Sequence, residues 1–459
     1  MSDLDKVLAH IDADFDNALD RLFQTVRLKS ISTDPAYAGE TRACAEWHSA
    51  DLAGIGFDSD VRDTPGHPIV LAKDHGATGT KVLFYGHYDV QPADPLELWT
   101  DEPFTPVIVT LPDGSKEIRG RGASDDKGQL MTFVEACRAW KAVHGTLPGP
   151  LTLFFEGEEE SGSPSLVPFL RQNAAELTAD LALICDTGLF DDATPAIVTQ
   201  LRGMAKVDFT LRAADKDLHS GMYGGLATNP IHVLTRILAG LHDQGRVTLP
   251  GFYDGVPELS DAMRAQWQGL AFDHAKFLGD VDLSIPAGEP DRTPLEMIWS
   301  RPTAEVNGIW GGYNGDGFKT VLPSEAHAKV SFRLVGQQDP DAVLASFRAY
   351  IQAALPADCE VIFHGLNGSA AGHMSVENPA FDQARAALTE EWGRPAAFVG
   401  CGGSIPIAGF FKTVLGMDAM LIGFGKDDDL IHSPNEKYDV ESFRKGIRSW
   451  ARILDRLGS

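Results

Sequence analysis

Several short segments carry histidine or acidic side chains just beyond apolar runs. In "LTLFFEGEEESGS" (151–163) a strand-like run leads into Glu156, Glu158, Glu159 and Glu160, and in "FYGHYDVQP" His87 and Asp89 stand two residues apart. "GRGASDDKG" holds Asp125 and Asp126 in a glycine-rich loop ahead of a helix-like stretch, "ICDTG" holds Asp186, and "LIHSPNEKY" holds His432. Residues two apart on an extended chain share a face, so His87 and Asp89 can address one centre. Each segment alone has a plain structural reading. The glutamates could be a solvated cluster, the aspartates turn or helix caps, and the histidines ordinary hydrogen-bonded or loop residues. Together they mean more, because open α/β sheets gather ligands at the carboxyl ends of their strands. Carboxylates collected there raise one another's pKa or demand a counter-ion. Imidazole and carboxylate ligands without a thiolate pair suit Zn²⁺ and tolerate Mn²⁺ or Co²⁺.

The elements that must position these residues read as α/β. The apolar runs "KVLFYG" (81–86), "LTLFFEG" (151–157) and "LALICDTG" (181–188) alternate with helix-like segments, which predicts a catalytic domain with a mainly parallel central sheet flanked by helices. "AMLIGFG" (419–425), between helix-like "NPAFDQARAALTEEW" and "VESFRKGIRSWARILDRL", completes the sheet from the far end of the chain. The middle is different: "AKVDFTLRAA", "NPIHVLTRILAGLHDQG", "HAKVSFRLVG", "PDAVLASFRAYIQAAL" and "CEVIFHGL" form two strand–helix units and a further strand. This pattern predicts an inserted α+β domain over 201–366, with 1–200 and 367–459 forming one discontinuous domain. The Gly-, Pro- and Asn-rich "PGFYDGVPELSD…SIPAGEPDRTP" and "NGIWGGYNGDGFKT" read as long loops.

A chain of 459 residues with 43% apolar content supports at least two domains. Its formal charge of −26 disfavours nucleic acid and anionic membranes as general partners. The five cysteines are scattered without a CxxC pair, which argues against a disulfide framework or zinc knuckle and fits a reducing cytoplasm. The N-terminus reads as a charged amphipathic helix without a basic start, and no run approaches the roughly 20 apolar residues of a membrane span. The expectation is a cytoplasmic protein that is not exported.

The ordered motifs "GHYDVQP", "GRGASDDKG", "EGEEESGS", "DLHSGMYGG", "GGSIPI" and "HSPNEK" resemble those of the dinuclear zinc metallopeptidases of family 20, of the carnosinase and cytosolic non-specific dipeptidase type. Aminoacylases, glutamate carboxypeptidases and succinyl-diaminopimelate desuccinylases are wider relatives. The resemblance implies two divalent ions per subunit. His87, Asp125 and Asp186 would hold one and Asp125, Glu160 and His432 the other, with Asp125 bridging. It implies Glu159 as general base to a water bridging the ions, and Asp89 as the group orienting His87. Asp126 is not carried over as a ligand, and Glu156 and Glu158 lie outside the pattern and read as structural or solvated.

The resemblance further implies a homodimer in which the insert serves as lid and dimerisation domain. His219 would help stabilise the tetrahedral oxyanion, reaching across the subunit interface. Arg333 would bind the substrate carboxylate bidentately, and Thr320 and Ser404 would contact that carboxylate and the nearby backbone. One position departs from the pattern. Where these dipeptidases carry a glutamate able to pair with the substrate's free amino terminus, this chain has Cys401. A neutral thiol does not compensate a cation, which weakens the case for strict dipeptide hydrolysis and leaves room for N-acyl amino acids unless another acid of this acidic chain replaces the glutamate. The expectation is amide hydrolysis of dipeptides or short peptide-like substrates with a free carboxylate, with N-acyl-amino-acid amidohydrolysis as the alternative. Cys401 has no paired histidine motif that would make it a nucleophile.

Overall fold

The strands nearest the acidic segments are buried at every position in Val82–His87, Leu151–Glu156 and Leu181–Ile184. Runs apolar on both faces need cover on both faces, which is the setting of parallel strands. In the computed structural model, which describes residues 2–75, 78–403 and 405–458, Val82–His87 indeed pairs in parallel with both neighbours. Leu181–Ile184 pairs in parallel with Ala419–Leu421, so the C-terminal run does join the sheet. The flanks are antiparallel. Ile69–Asp74 pairs with Leu151–Glu156, Asp58–Arg62 with Ile69–Asp74, and Ala196–Leu201 with Ala419–Leu421.

The chain divides into two compact units, residues 1–199, 374–399 and 410–459 in the first and 200–373 and 400–409 in the second. In the first, the helices Lys127–His144 and Val440–Leu457 pack together over the sheet. Val440–Leu457 buries Phe443, Ile447, Trp450, Leu454 and Leu457, a three-to-four spacing that faces the core. Phe84 stacks on Phe133 at 3.8 Å between ring centroids, and the Trp450 edge meets Phe133 at 5.1 Å and Phe84 at 5.9 Å. Each buried aromatic contributes about 1.5–3 kcal/mol. Phe84 lies three residues before His87, so this packing anchors the strand that carries it.

The second unit is built around an antiparallel sheet in the order Thr303–Gly311, Glu325–Leu334, Gly203–Arg212, Glu360–Ser369. Along Glu325–Leu334 buried and more exposed residues alternate, as expected for a sheet packed on one face. Its core face, including Val207, Phe209, Val330 and Phe332, meets Leu234, Ile237, Phe347 and Ile351 from two helices, Pro230–Ala239 and Pro340–Ala354. Both helices open with proline after a capping Asn229 or Asp339.

Two local readings change. The N-terminal segment is two helices, Asp3–Ala13 and Phe15–Val26, parted at Asp14. The Gly- and Pro-rich stretch after 250 contains the short helices Asp261–Gly269 and His274–Gly279, started by the side-chain caps Ser260 and Asp273. A polar helix of two turns has too few apolar positions to register as periodic.

Candidate metal centre

His87 ends its strand with its side chain 1% exposed. Its Nδ1 lies 3.2 Å from the Asp89 carbonyl oxygen and 3.4 Å from Asp89 Oδ1, while Nε2 faces Asp125 Oδ1 at 3.2 Å. The buried Asp89 carboxylate also accepts the backbone N–H groups of Glu159 (3.2 Å) and Glu160 (3.0 Å). One aspartate thus ties the end of one strand to the turn beyond the next.

Asp125 is held by a residue far along the chain. The fully buried Glu436 accepts the N–H groups of Gly122, Ser124 and Asp125 at 2.9–3.0 Å and pairs with Arg121 at 2.6 Å. Asp429 accepts from the Ser124 hydroxyl at 2.7 Å. Asp126 accepts the N–H of His87 at 3.1 Å. Burial pushes its carboxyl well above the ordinary range.

His432 stands in the same loop as Glu436 with φ at +62°, a left-handed conformation uncommon outside glycine. Asn435 fixes this loop, donating to the Leu98 carbonyl at 2.9 Å and accepting from Thr100 N–H at 2.7 Å. His432 Nε2 reaches Asp125 Oδ2 at 2.9 Å and Glu160 Oε2 at 3.3 Å. Gln91 donates to Glu160 Oε2 at 2.7 Å.

Two donor groups result. His87, Asp125 and Asp186 offer ligand atoms within 4.8 Å of one another, as do Asp125, Glu160 and His432, and Asp125 belongs to both. His87 Nε2 and Glu160 Oε1 are buried without a hydrogen-bond partner among the described residues, which is the condition of atoms directed at a ligand. The chemistry of the donors also fits divalent cations. Burial alone would lower the His87 imidazole, but Asp125 and Asp89 carry it well above its usual value. Asp125 and Glu160 bring His432 up to about 10. Burial raises Asp125, yet His432 and His87 outweigh it and hold that carboxyl below its ordinary range. Asp186 is driven well up by burial and then by Asp125. The crowded carboxylates thus raise both imidazoles, and a divalent cation would compete with protons for the same imidazole nitrogens.

The four glutamates separate by role. Glu156 accepts from the Tyr85 hydroxyl at 2.7 Å and is raised to about 8 by burial. Glu158 accepts from His67 N–H at 2.8 Å and Ser165 N–H at 3.0 Å. Both are buried structural ties, not solvated groups. Glu160 joins the second donor group. Glu159, beside it, is raised by burial, with Glu160, Asp89 and Asp125 adding to the effect and His87 opposing it.

Residues 83–456 match peptidase family M20/M25/M40. The chain belongs to that family. It is 30% identical to the Cys-Gly metallodipeptidase dug1 of Schizosaccharomyces pombe, over 99% of this chain and 98% of the relative. It is 28% identical to the human Beta-Ala-His dipeptidase, over 98% of this chain and 92% of that protein. Among solved structures, the M20 metallo-carboxypeptidase Sso-CP2 from Sulfolobus solfataricus superposes with a TM-score of 0.80 at 30% identity, covering 96% of this chain and 99% of that one. This M20 peptidase is therefore a metallopeptidase, with the α/β fold read from its sequence.

Its second unit carries the remaining nominated residues. His219 pairs with Val321 on a two-residue ladder and accepts the Gly221 N–H at Nδ1, 3.0 Å away. The Thr320 carbonyl accepts from Ser220 N–H at 3.1 Å, so His219 and Thr320 are neighbours, both exposed. Arg333 stands on the face of Glu325–Leu334 opposite the core. Cys401 ends the strand Ala397–Cys401, and its sulfur accepts from Gly403 N–H at 3.3 Å. Ser404 lies outside the described residues. Sequence reasoning assigned no part to Glu436, Asp429 or Gln91. Glu436 and Gln91 lie inside the quoted motifs "HSPNEK" and "GHYDVQP", and that placement is the signal that could have found them.

Proposed function

We propose that this M20 peptidase is a dipeptidase, hydrolysing the amide bond of dipeptides or short peptide-like substrates that carry a free carboxylate. The supporting observation is the pair of donor groups sharing Asp125, with Glu159 next to one of them in the chain. His87, Asp125 and Asp186 would hold one divalent ion, and Asp125, Glu160 and His432 the other. Zn²⁺ is the metal proposed from the donor set, with Mn²⁺ and Co²⁺ as substitutes. When bound, such ions supply Lewis-acid polarisation of the scissile carbonyl and acidify water.

The protein's own groups do the rest. Glu159 accepts the proton of the attacking water on a carboxylate oxygen and returns it to the leaving amine nitrogen. Asp89 faces Nδ1 of His87, which sets the tautomer and leaves Nε2 for the ligand role. His219 stabilises the developing oxyanion, Arg333 takes the substrate carboxylate, and Thr320 and Ser404 assist. Homodimerisation through the second unit and a cytoplasmic location complete the proposal. Among the described residues no helix is long and apolar enough to cross a membrane.

The named activities of the dug1 and human relatives favour free dipeptides over N-acyl amino acids. The test is a paired assay of dipeptides and their N-acetylated forms with the metal-loaded protein. Cleavage of the free dipeptides is expected. Turnover confined to the acetylated forms would overturn the reading.

A further inference from the structure

The second unit's sheet has one polar face. Val330, Phe332 and Leu334 enter the core, so Ser331 and Arg333 turn the other way and line a cleft of about 730 Å³ together with Arg202 and Glu305. That volume lies within the range of small-molecule sites.

The charges in this cleft are unevenly matched. Glu289, buried in the wall, is occupied by Arg301 at 2.9 Å and Arg246 at 2.6 Å. Arg202 is anchored by neutral groups. Its Nε donates to the Gly402 carbonyl at 2.9 Å, and its backbone N–H to the Gly403 carbonyl at 3.1 Å. Neither Arg202 nor Arg333 has a carboxylate within ion-pair distance among the described residues. They lie near each other: Arg333 pairs with Met204 and Leu334 with Gly203 on adjacent strands, so Arg202 stands one residue beyond that pairing, and both arginines line the cleft. In keeping with this, burial and then Arg333 push the Arg202 guanidinium below its usual range, while Cys401 and Glu305 oppose the shift. Two neighbouring guanidiniums that no carboxylate pairs, with Glu305 the acid nearest to them in the lining, form a place where a planar anion can be bound.

We propose that Arg202 and Arg333 form a seat for two carboxylates, Arg333 taking the free α-carboxylate and Arg202 the side-chain carboxylate of a C-terminal glutamate or aspartate. The preferred substrates are then Xaa-Glu and Xaa-Asp dipeptides, an assignment that rests on the dipeptidase reading. Arg202 is a specificity-determining residue, and its donors remain in place because the Gly402 carbonyl holds the base of the guanidinium.

The experiment compares kcat/KM of the Zn²⁺-loaded protein for Ala-Glu against Ala-Gln, which differ by one charge at nearly equal size. The expected wild-type preference for Ala-Glu is about tenfold or more, the range of a hydrogen bond to a charged group. Arg202→Gln should bring the ratio close to one, whereas Arg333→Gln should weaken both dipeptides. A wild-type ratio near one, a ratio unchanged by Arg202→Gln, or equal losses on both dipeptides in that variant would overturn the proposal. If neither dipeptide is cleaved, the dipeptidase reading fails separately, and calorimetry with free L-glutamate and L-glutamine decides the seat. Tighter glutamate binding that Arg202→Gln abolishes sustains it, and equal or absent binding defeats it.

Discussion

In the first unit, Asp125 hangs from a loop whose N–H groups are gathered by the buried Glu436, and the Asp89 carboxylate pins the Glu159–Glu160 turn. In the second, His219 and Thr320 stand exposed on a two-residue ladder. The contrast follows from what each must do. A cluster of carboxylates is stable only if every group is held against its neighbours' repulsion, so its supports are buried and charged. A residue that meets a mobile ligand needs access more than support. Damage to the first region should therefore cost both chemistry and stability, and damage to the second chemistry alone.

The largest effect expected is that of Glu159→Ala, a fall of about 10³-fold in kcat with metal content unchanged, measured by steady-state kinetics and elemental analysis. Near-normal turnover would remove Glu159 as base. Next is Glu436→Ala, which removes the carboxylate partner of the buried Arg121, leaving its guanidinium only the Pro92 and Ser433 carbonyls, and orphans three N–H groups in the interior. Breaking one side of a buried pair costs about 3–5 kcal/mol, and denaturant unfolding should show a loss of that size together with weakened metal retention. His219→Ala should then lower kcat by about 10²-fold, as for one oxyanion donor, while the unfolding midpoint stays within about 0.5 kcal/mol of wild type. If that variant lost as much stability as Glu436→Ala, the contrast between the regions would fail.

The smallest effect concerns a buried histidine under the catalytic sheet. Burial, then Lys127, lowers the His48 imidazole from 6.5 to about 3, so it stays neutral in the folded chain while the unfolded chain protonates near 6.5. Its contribution is complete above that value and declines as pH falls towards 3, by about 1.4 kcal/mol one unit below the unfolded pKa. Urea unfolding between pH 7 and pH 5 should show this slope, reduced in His48→Leu. An identical slope in the variant would place the acid sensitivity elsewhere.

The sequence made His87, Glu160 and Asp186 legible because each comes at or just beyond an apolar run whose burial is itself a sequence property, whereas Asp125 follows the short, polar Lys116–Arg119 of another sheet and His432 a polar loop. Val82–His87 and Leu151–Glu156 could hardly be other than inner strands, and His87 and Glu160 come just at or beyond their ends. The supports were less legible, since Glu436 meets Asp125 across 311 positions and no local pattern encodes such a partner. The antiparallel flanks were hidden for a related reason. Ile69–Asp74 is buried over its first four residues and so resembles a parallel strand until its neighbours are known. The separation of Glu158 from Glu160 depends on the turn at Glu159–Ser161, which sends one carboxylate to His67 and Ser165 and the other towards His432.

The central claim is that Asp125 is shared by two cation sites. Metal stoichiometry by elemental analysis after Zn²⁺ loading and desalting tests it most directly, on wild type and Asp125→Ala. The account predicts two ions per chain in the wild type and loss of both in the variant, with activity lost on chelation and restored by Zn²⁺. Two tightly held ions in Asp125→Ala, or full activity in metal-free protein, would contradict it.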